Sequence, residues 1–238
     1  SLAVASMLAV AGCSAGTVGS DSAVGSDSAV GSDSAVVSDA RDPAACPVLP
    51  DGFAYLNTID PSIDVDLRYA STNNFTGEVV DGYEEANAVV LREDAAIALA
   101  GVQATLADAG LGLRVYDGFR PTRAVDFFME WALTDDDRTR ADYYPSFEKP
   151  ELFELGDLAL RGLDTGEALD MGGQFDLFDE RSHYEASGLS ETAFENRTVL
   201  REAMLQAGFE PYPQEWWHFS YPVPAGAERL DFALEGCG

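Results

Sequence analysis

Two histidines, His183 and His218, bound the metal and proton chemistry open to this chain. His218 stands in "PQEWWHFSY", three residues after Glu215. On a strand end or loop, a Glu near a zinc-bound His can take a proton from water on the metal. The competing reading is a histidine simply packed beside two tryptophans. Arg120 follows the apolar run "LGLRVYDGF". A guanidinium fixed there could stabilise the oxyanion of a tetrahedral intermediate; it could equally pair with Asp117 or a surface acid. Asp157, in "GDLAL", is an acid flanked by apolar residues. Inside a buried strand it needs a partner or a metal, whereas at a strand end it would face water. "FDERSH" (178–183) offers Asp179, Glu180, Arg181 and His183, and reads as a hydrogen-bonded structural knot.

The elements that must carry these residues are legible as patterns. "IDVDLRYA" (63–70) alternates and predicts a strand, and "TNNFTGEVVDGY" (72–83) is rich in turn residues. Residues 92–110 predict a strong helix, with acid in the first turn and Gly110 at its end. A buried strand at 111–119 leads into a second helix opened by Pro121, "PTRAVDFFMEWAL". "FELGDLAL" (153–160) predicts a strand, and residues 163–176 a hairpin and loop. Residues 189–208 predict a helix capped by Ser190 or Thr192, and "EWWHFSY" (215–221) a closing strand. Helices and strands mix without a βαβ rhythm. The expectation is α+β: a single mixed domain with a small central antiparallel sheet and flanking helices.

The 238 residues carry 14 basic and 42 acidic side chains, a formal charge of −28. Such a surface repels phosphate backbones and anionic membranes, which argues against nucleic acid as a partner. No feature of the sequence specifies an oligomer.

The run "SLAVASMLAVAGC" is small and apolar and ends on Val10-Ala11-Gly12-Cys13. It resembles a bacterial lipoprotein signal in which cleavage leaves Cys13 for lipid attachment; an ordinary signal peptide with an incidental Cys is the alternative. With no initiator Met or basic segment ahead of it, residues 1–13 read as the truncated end of such a signal. Residues 14–45 hold three "GSDSAV" repeats and predict a flexible tether. A coil of the 33 residues from Cys13 to Cys46 spans on the order of 30 Å. The folded domain is expected over 46–238. Cys46 and Cys237 mark its two ends. In an exported protein a disulfide is the simplest reading, and two free thiols the alternative. These features together predict an exported protein, lipid-anchored in the bacterial cell envelope, touching membrane only through that anchor.

Taken together, "DVDLRYASTNNFTG", "VYDGFRPTRAV", "LDTGEALDMGGQFDLFDERSH" and "EWWHFSY" resemble, in order and spacing, the D-alanyl-D-alanine dipeptidases of the vancomycin-resistance type. The resemblance covers roughly residues 48–222. It implies a zinc-peptidase-like site on the sheet, with one zinc ion and a small D-amino-acid dipeptide as substrate, D-Ala-D-Ala or a dipeptide from the cell wall. It implies Asp157 and His218 as zinc ligands, Glu215 as catalytic base and Arg120 as the residue stabilising the transition state. The family's remaining ligand is a His seven residues before the Asp. Here that position is Pro150, and Phe153 stands where the family has glycine. Catalytic zinc normally has three protein ligands and an open water position. The expectations are therefore two. Glu148, Glu151 or Glu154 supplies a substitute ligand to a weakened site, or the fold is an impaired enzyme that binds D-Ala-terminated peptidoglycan fragments. His183 as a ligand is the less favoured variant, because its motif keeps the family form in which it does not bind metal.

Overall fold

The computed structural model describes residues 46–149, 158–163, 165–223 and 229–236, all within a unit spanning Arg41–Gly238. The N-terminal segment with Cys13, the stretch with Pro150, Glu151, Glu154 and Asp157, and Cys237 lie outside the described residues.

The order of elements is β1 (Phe53–Tyr55), α1 (Leu56–Ile59), β2 (Asp64–Val65), β3 (Val90–Arg92), α2 (Glu93–Ala107), β4 (Leu111–Val115), α3 (Thr122–Ala132), α4 (Arg140–Tyr143), β5 (Leu158–Gly162), α5 (Glu191–Gln206), β6 (Glu210–Pro211) and β7 (Phe219–Ser220). The α+β expectation holds at this level. The three main helices fall where periodicity placed them. Helix α2 has Glu93 and Asp94 in its first turn, favourable at the positive end of the helix dipole. It buries Ala96, Leu99, Val102, Gln103 and Leu106 along one face. Helix α5 is capped by Ser190, whose hydroxyl accepts from the Ala193 amide at 3.0 Å.

The sheet expectation needs correction. The central three-stranded sheet has order β2-β4-β5 and is mixed: β4 and β5 are antiparallel, but β2 runs parallel to β4. A parallel pair needs a long crossover. Here the chain between β2 and β4 provides it, including α2. Two further pairs, β1-β3 and β6-β7, are antiparallel and separate.

Two strand expectations shorten for the same reason, which is that local turns capture backbone groups a ladder would use. After Val65 the chain winds into a 3-10 turn over Arg68–Ala70, with Ala70 N–H bonded to Leu67 and Ser71 N–H to Arg68. In "EWWHFSY" only Phe219–Ser220 is strand. The His218 amide bonds the Glu215 carbonyl, closing a turn. A strand would send adjacent Trp216 and Trp217 to opposite faces; the turn lets both be buried.

The core between sheet and helices is strongly aromatic. Tyr69 and Phe128 pack edge to face at 5.2 Å, as do Phe75 and Trp131 at 5.2 Å and Phe175 and Trp217 at 5.7 Å. Such geometry sets ring edges against ring faces and adds specificity to simple burial. The "NNFTG" turn is organised by Asn74, which is wholly buried. Its Nδ2 donates to the Ser71 and Glu78 carbonyls at 2.7 and 2.8 Å, and its Oδ1 accepts from Thr76 N–H and Oγ1–H. With the Arg68 carbonyl and the Gly77 amide, one side chain thereby satisfies six backbone or hydroxyl groups and fixes Phe75 against the core.

Candidate active site

The turn before β7 presents two ionisable side chains together. Glu215 and His218 are both largely buried, at 7% and 5% exposure. His218 Nδ1 lies 3.2 Å from Glu215 Oε2, and its Nε2 lies 3.4 Å from Ser220 Oγ. The turn is held on both sides. Trp216 N–H bonds the Ser182 carbonyl, and Tyr212 N–H bonds the His218 carbonyl, at 3.0 Å each. Trp217 is fully buried against Phe175 and Phe178. The tryptophans therefore serve as anchors, and the polar pair is what they position.

Arg120 emerges from the loop that follows β4. Its Nη2 and Nε donate to Asp117 Oδ2 at 2.6 and 3.0 Å. Its guanidinium also sits 5.1 Å from the Tyr69 and Phe128 ring centres, in cation–π range. Asp117 is 4% exposed and also accepts from the Tyr83 hydroxyl at 2.5 Å. Burial, and next the Asp117 charge, push the Tyr83 phenol well above its ordinary value, so it stays a donor. Gly118 is required by close approach: a Cβ there would sit 2.7 Å from the Val90 carbonyl.

The two halves meet through rings. Trp217 contacts Phe175 at 5.7 Å, Phe175 lies 6.5 Å from Tyr69, and Tyr69 faces Arg120. Asp176 joins this wall. It is wholly buried, lies 3.4 Å from the Tyr69 hydroxyl, and holds a left-handed backbone at φ 59°. A non-glycine residue in that region is uncommon and concentrates at functional sites. Sequence reasoning named Asp117 only as a competitor for Arg120 and missed Tyr69, Tyr83, Phe128 and Asp176. Only the turn-rich context of "MGGQFD" could have pointed to Asp176.

Two of the remaining candidates, Glu148 and His183, are among the described residues. Glu148 is at the surface, where Arg140 binds it at 2.8 Å and holds its carboxyl below the ordinary range. His183 lines a surface pocket with Asp179, Arg181, Tyr184, Arg201 and Gln214. The "FDERSH" knot is as expected: the Asp179 side chain accepts from Arg181 N–H and Nε and from Ser146 Oγ. Cys46 is disulfide-bonded, with its other half outside the described residues.

Among the described residues no three His, Cys, Asp or Glu side chains are grouped to hold a metal. Of the two ligands the resemblance implies, Asp157 and His218, His218 is the one that is described. Its chemistry fits zinc: an imidazole in a dry setting, oriented by a turn, with a carboxylate beside it.

The chain was compared with known proteins. A family model described as D-ala-D-ala dipeptidase, of the peptidase M15 type, matches residues 50–231. The chain is 40% identical over 184 residues to a D-alanyl-D-alanine dipeptidase of Enterococcus faecalis, covering 71% of this chain and 91% of that protein. It is 39% identical over 183 residues to one from Streptomyces coelicolor, covering 71% and 90%. It is 34% identical over 175 residues to one from Escherichia coli, covering 74% and 87%. The family match takes in Arg120, Glu215 and His218, and the chain belongs to the D-Ala-D-Ala dipeptidase family of peptidases.

Proposed function

We propose that this protein hydrolyses D-Ala-D-Ala or similar dipeptides derived from the cell wall, with one zinc ion, and that Cys13 carries a lipid anchor to the bacterial envelope. The observation that carries the enzymatic reading is the Glu215–His218 pair, 3.2 Å apart and buried on a turn fixed by two tryptophans. His218 and Asp157 would hold the zinc, with a substitute donor from Glu148, Glu151 or Glu154 in place of the missing His. When bound, zinc would polarise the scissile carbonyl and acidify a water molecule. Glu215 takes the proton of the attacking water and delivers it to the leaving amine. Its burial beside His218 keeps the carboxylate within reach and away from competing solvent. Arg120, steadied by Asp117 and two rings, offers N–H donors to the oxyanion that develops on the substrate.

A second reading, a binder of D-Ala-terminated fragments with impaired turnover, is favoured by one observation. Pro150 occupies the position that the family's His ligand would take. The full chain, purified with zinc, separates the two. The enzyme carries about one zinc per chain and releases D-Ala from D-Ala-D-Ala, and Glu215→Gln loses on the order of a hundredfold or more in kcat. Saturable dipeptide binding with no release of D-Ala supports the binder and overturns the enzyme.

A further inference from the structure

The Arg120 loop is also gripped from a direction the proposed chemistry does not explain. Segment 229–236 begins within the family match, which ends at residue 231, and runs past it. It crosses the start of α3 and the β1-β3 pair. The ring of Phe232 lies flat on that of Phe119, with centres 4.2 Å apart and planes 2° apart. Phe53 on β1 closes the group edge-on, 5.3 Å from Phe119 and 5.4 Å from Phe232. Phe119 is the residue immediately before Arg120, and its amide is bonded to Val90 at 2.7 Å.

On the other side of Arg120, the same segment supplies the missing cap of α3. Pro121 stands at the helix start and provides no side-chain cap. The first amides must find acceptors elsewhere. Thr122 N–H and Oγ1–H both donate to the Leu230 carbonyl at 3.0 Å. Arg123 N–H donates to Asp231 Oδ1 at 3.2 Å, and its Nη1 to Asp231 Oδ2 at 2.9 Å. Residues 119, 122 and 123 are thus all held by the segment, and Arg120 lies between them. The segment is itself tied down: Tyr55 Oη lies 2.9 Å from the Glu235 carbonyl and 3.0 Å from that of Pro47, beside the disulfide-bonded Cys46.

We propose that Phe232 and Asp231 are positioning residues for Arg120, which fix the backbone on either side of it so that its guanidinium meets Asp117, Tyr69 and Phe128 in one geometry. The functional weight of this rests on the role given to Arg120 above; the positioning itself does not. A misplacement of about 1 Å can cost on the order of a hundredfold in rate even when caused far from the chemistry.

The experiment uses the full chain labelled with 15N-arginine. The Arg120 Nε–H, bonded to Asp117, is assigned by its absence in Arg120→Lys. In Phe232→Ala its hydrogen exchange should quicken at least about tenfold, and kcat on D-Ala-D-Ala should fall about ten- to a hundredfold with little change in KM. Phe232→Tyr keeps the ring and should restore both. Asp231→Ala, a surface change, should shift both in the same direction by less, and it decides the question if Phe232→Ala does not fold. In the Arg120→Lys background Phe232→Ala should cost no further activity. Unchanged Arg120 exchange in the folded variants overturns the proposal, as does an equal loss of activity with and without Arg120. If Arg120→Lys turns over as wild type, or if wild type does not turn over, the catalytic role of Arg120 fails, and the exchange measurement alone decides the positioning.

Discussion

Arg120 and Arg197 are two buried guanidiniums against aromatic rings, and they do opposite work. Arg120 retains some exposure, faces Tyr69 and Phe128, and has its charge matched by the buried carboxylate of Asp117. Arg197, on α5, is 1% exposed and lies 5.8 Å from the Trp216 ring. It donates to three carbonyls, Met171 at 2.6 Å, His183 at 2.7 Å and Arg181 at 3.0 Å. Carbonyl dipoles do not neutralise a cation as a carboxylate does, and burial lowers its pKa to about 10. The difference separates the cation proposed to face substrate from one that cross-links the fold. A guanidinium whose donors all end on main-chain carbonyls is a cross-link, here between the 171–183 loop and the helix that backs the Glu215–His218 turn. A guanidinium charge-paired on one side and ring-stacked on the other suits the oxyanion-facing role proposed for Arg120.

The comparison can be broken most severely at Arg197. Arg197→Met should strand three main-chain carbonyls, that of Met171 buried, and lower stability by about 2–4 kcal/mol, read in urea unfolding. Activity per folded molecule should fall far less than in Arg120→Lys. Asp117→Asn attacks the other side: it preserves shape but removes the charge that orients Arg120. The expected outcome is a ten- to a hundredfold loss in kcat with a fall in the Tyr83 pKa, measured by ultraviolet titration, since Asp117 is one of the groups raising it.

The smallest expected effect is on the alkaline side of stability. The Tyr83 pKa is raised in the folded state above its ordinary 10.0, so the fold holds the phenolic proton more tightly than the unfolded chain. The corresponding stabilisation is full below pH 10.0 and is lost as pH rises from there through the folded-state value. Unfolding midpoints of wild type should therefore drop more steeply above pH 10.0 than those of Tyr83→Phe; parallel curves would sink the assignment.

The helices were legible because apolar periodicity is local: Leu99, Val102 and Leu106 announce the buried face of α2 within two turns. The Glu215–His218 pair was legible only as a spacing: the turn brings residues three apart together, whereas the strand expected over 215–221 would have sent them to opposite faces. The parallel pairing of β2 with β4 was not, because two residues of strand carry no mark of direction. The ring wall was not either, since Tyr69, Phe128 and Phe175 are simply aromatic residues until the fold sets their faces.

By itself, then, the sequence determined the acidic balance, the helical faces, the Glu215–His218 spacing and the proline at position 150. These depend on composition and on neighbours along the chain. Only the tertiary structure decided which arginine is paired to a buried carboxylate and which to carbonyls, that Asp176 reaches Tyr69 across 107 positions, and that Phe232 lies on Phe119. Those contacts join residues far apart in sequence, and their geometry exists only once the aromatic core has closed around them.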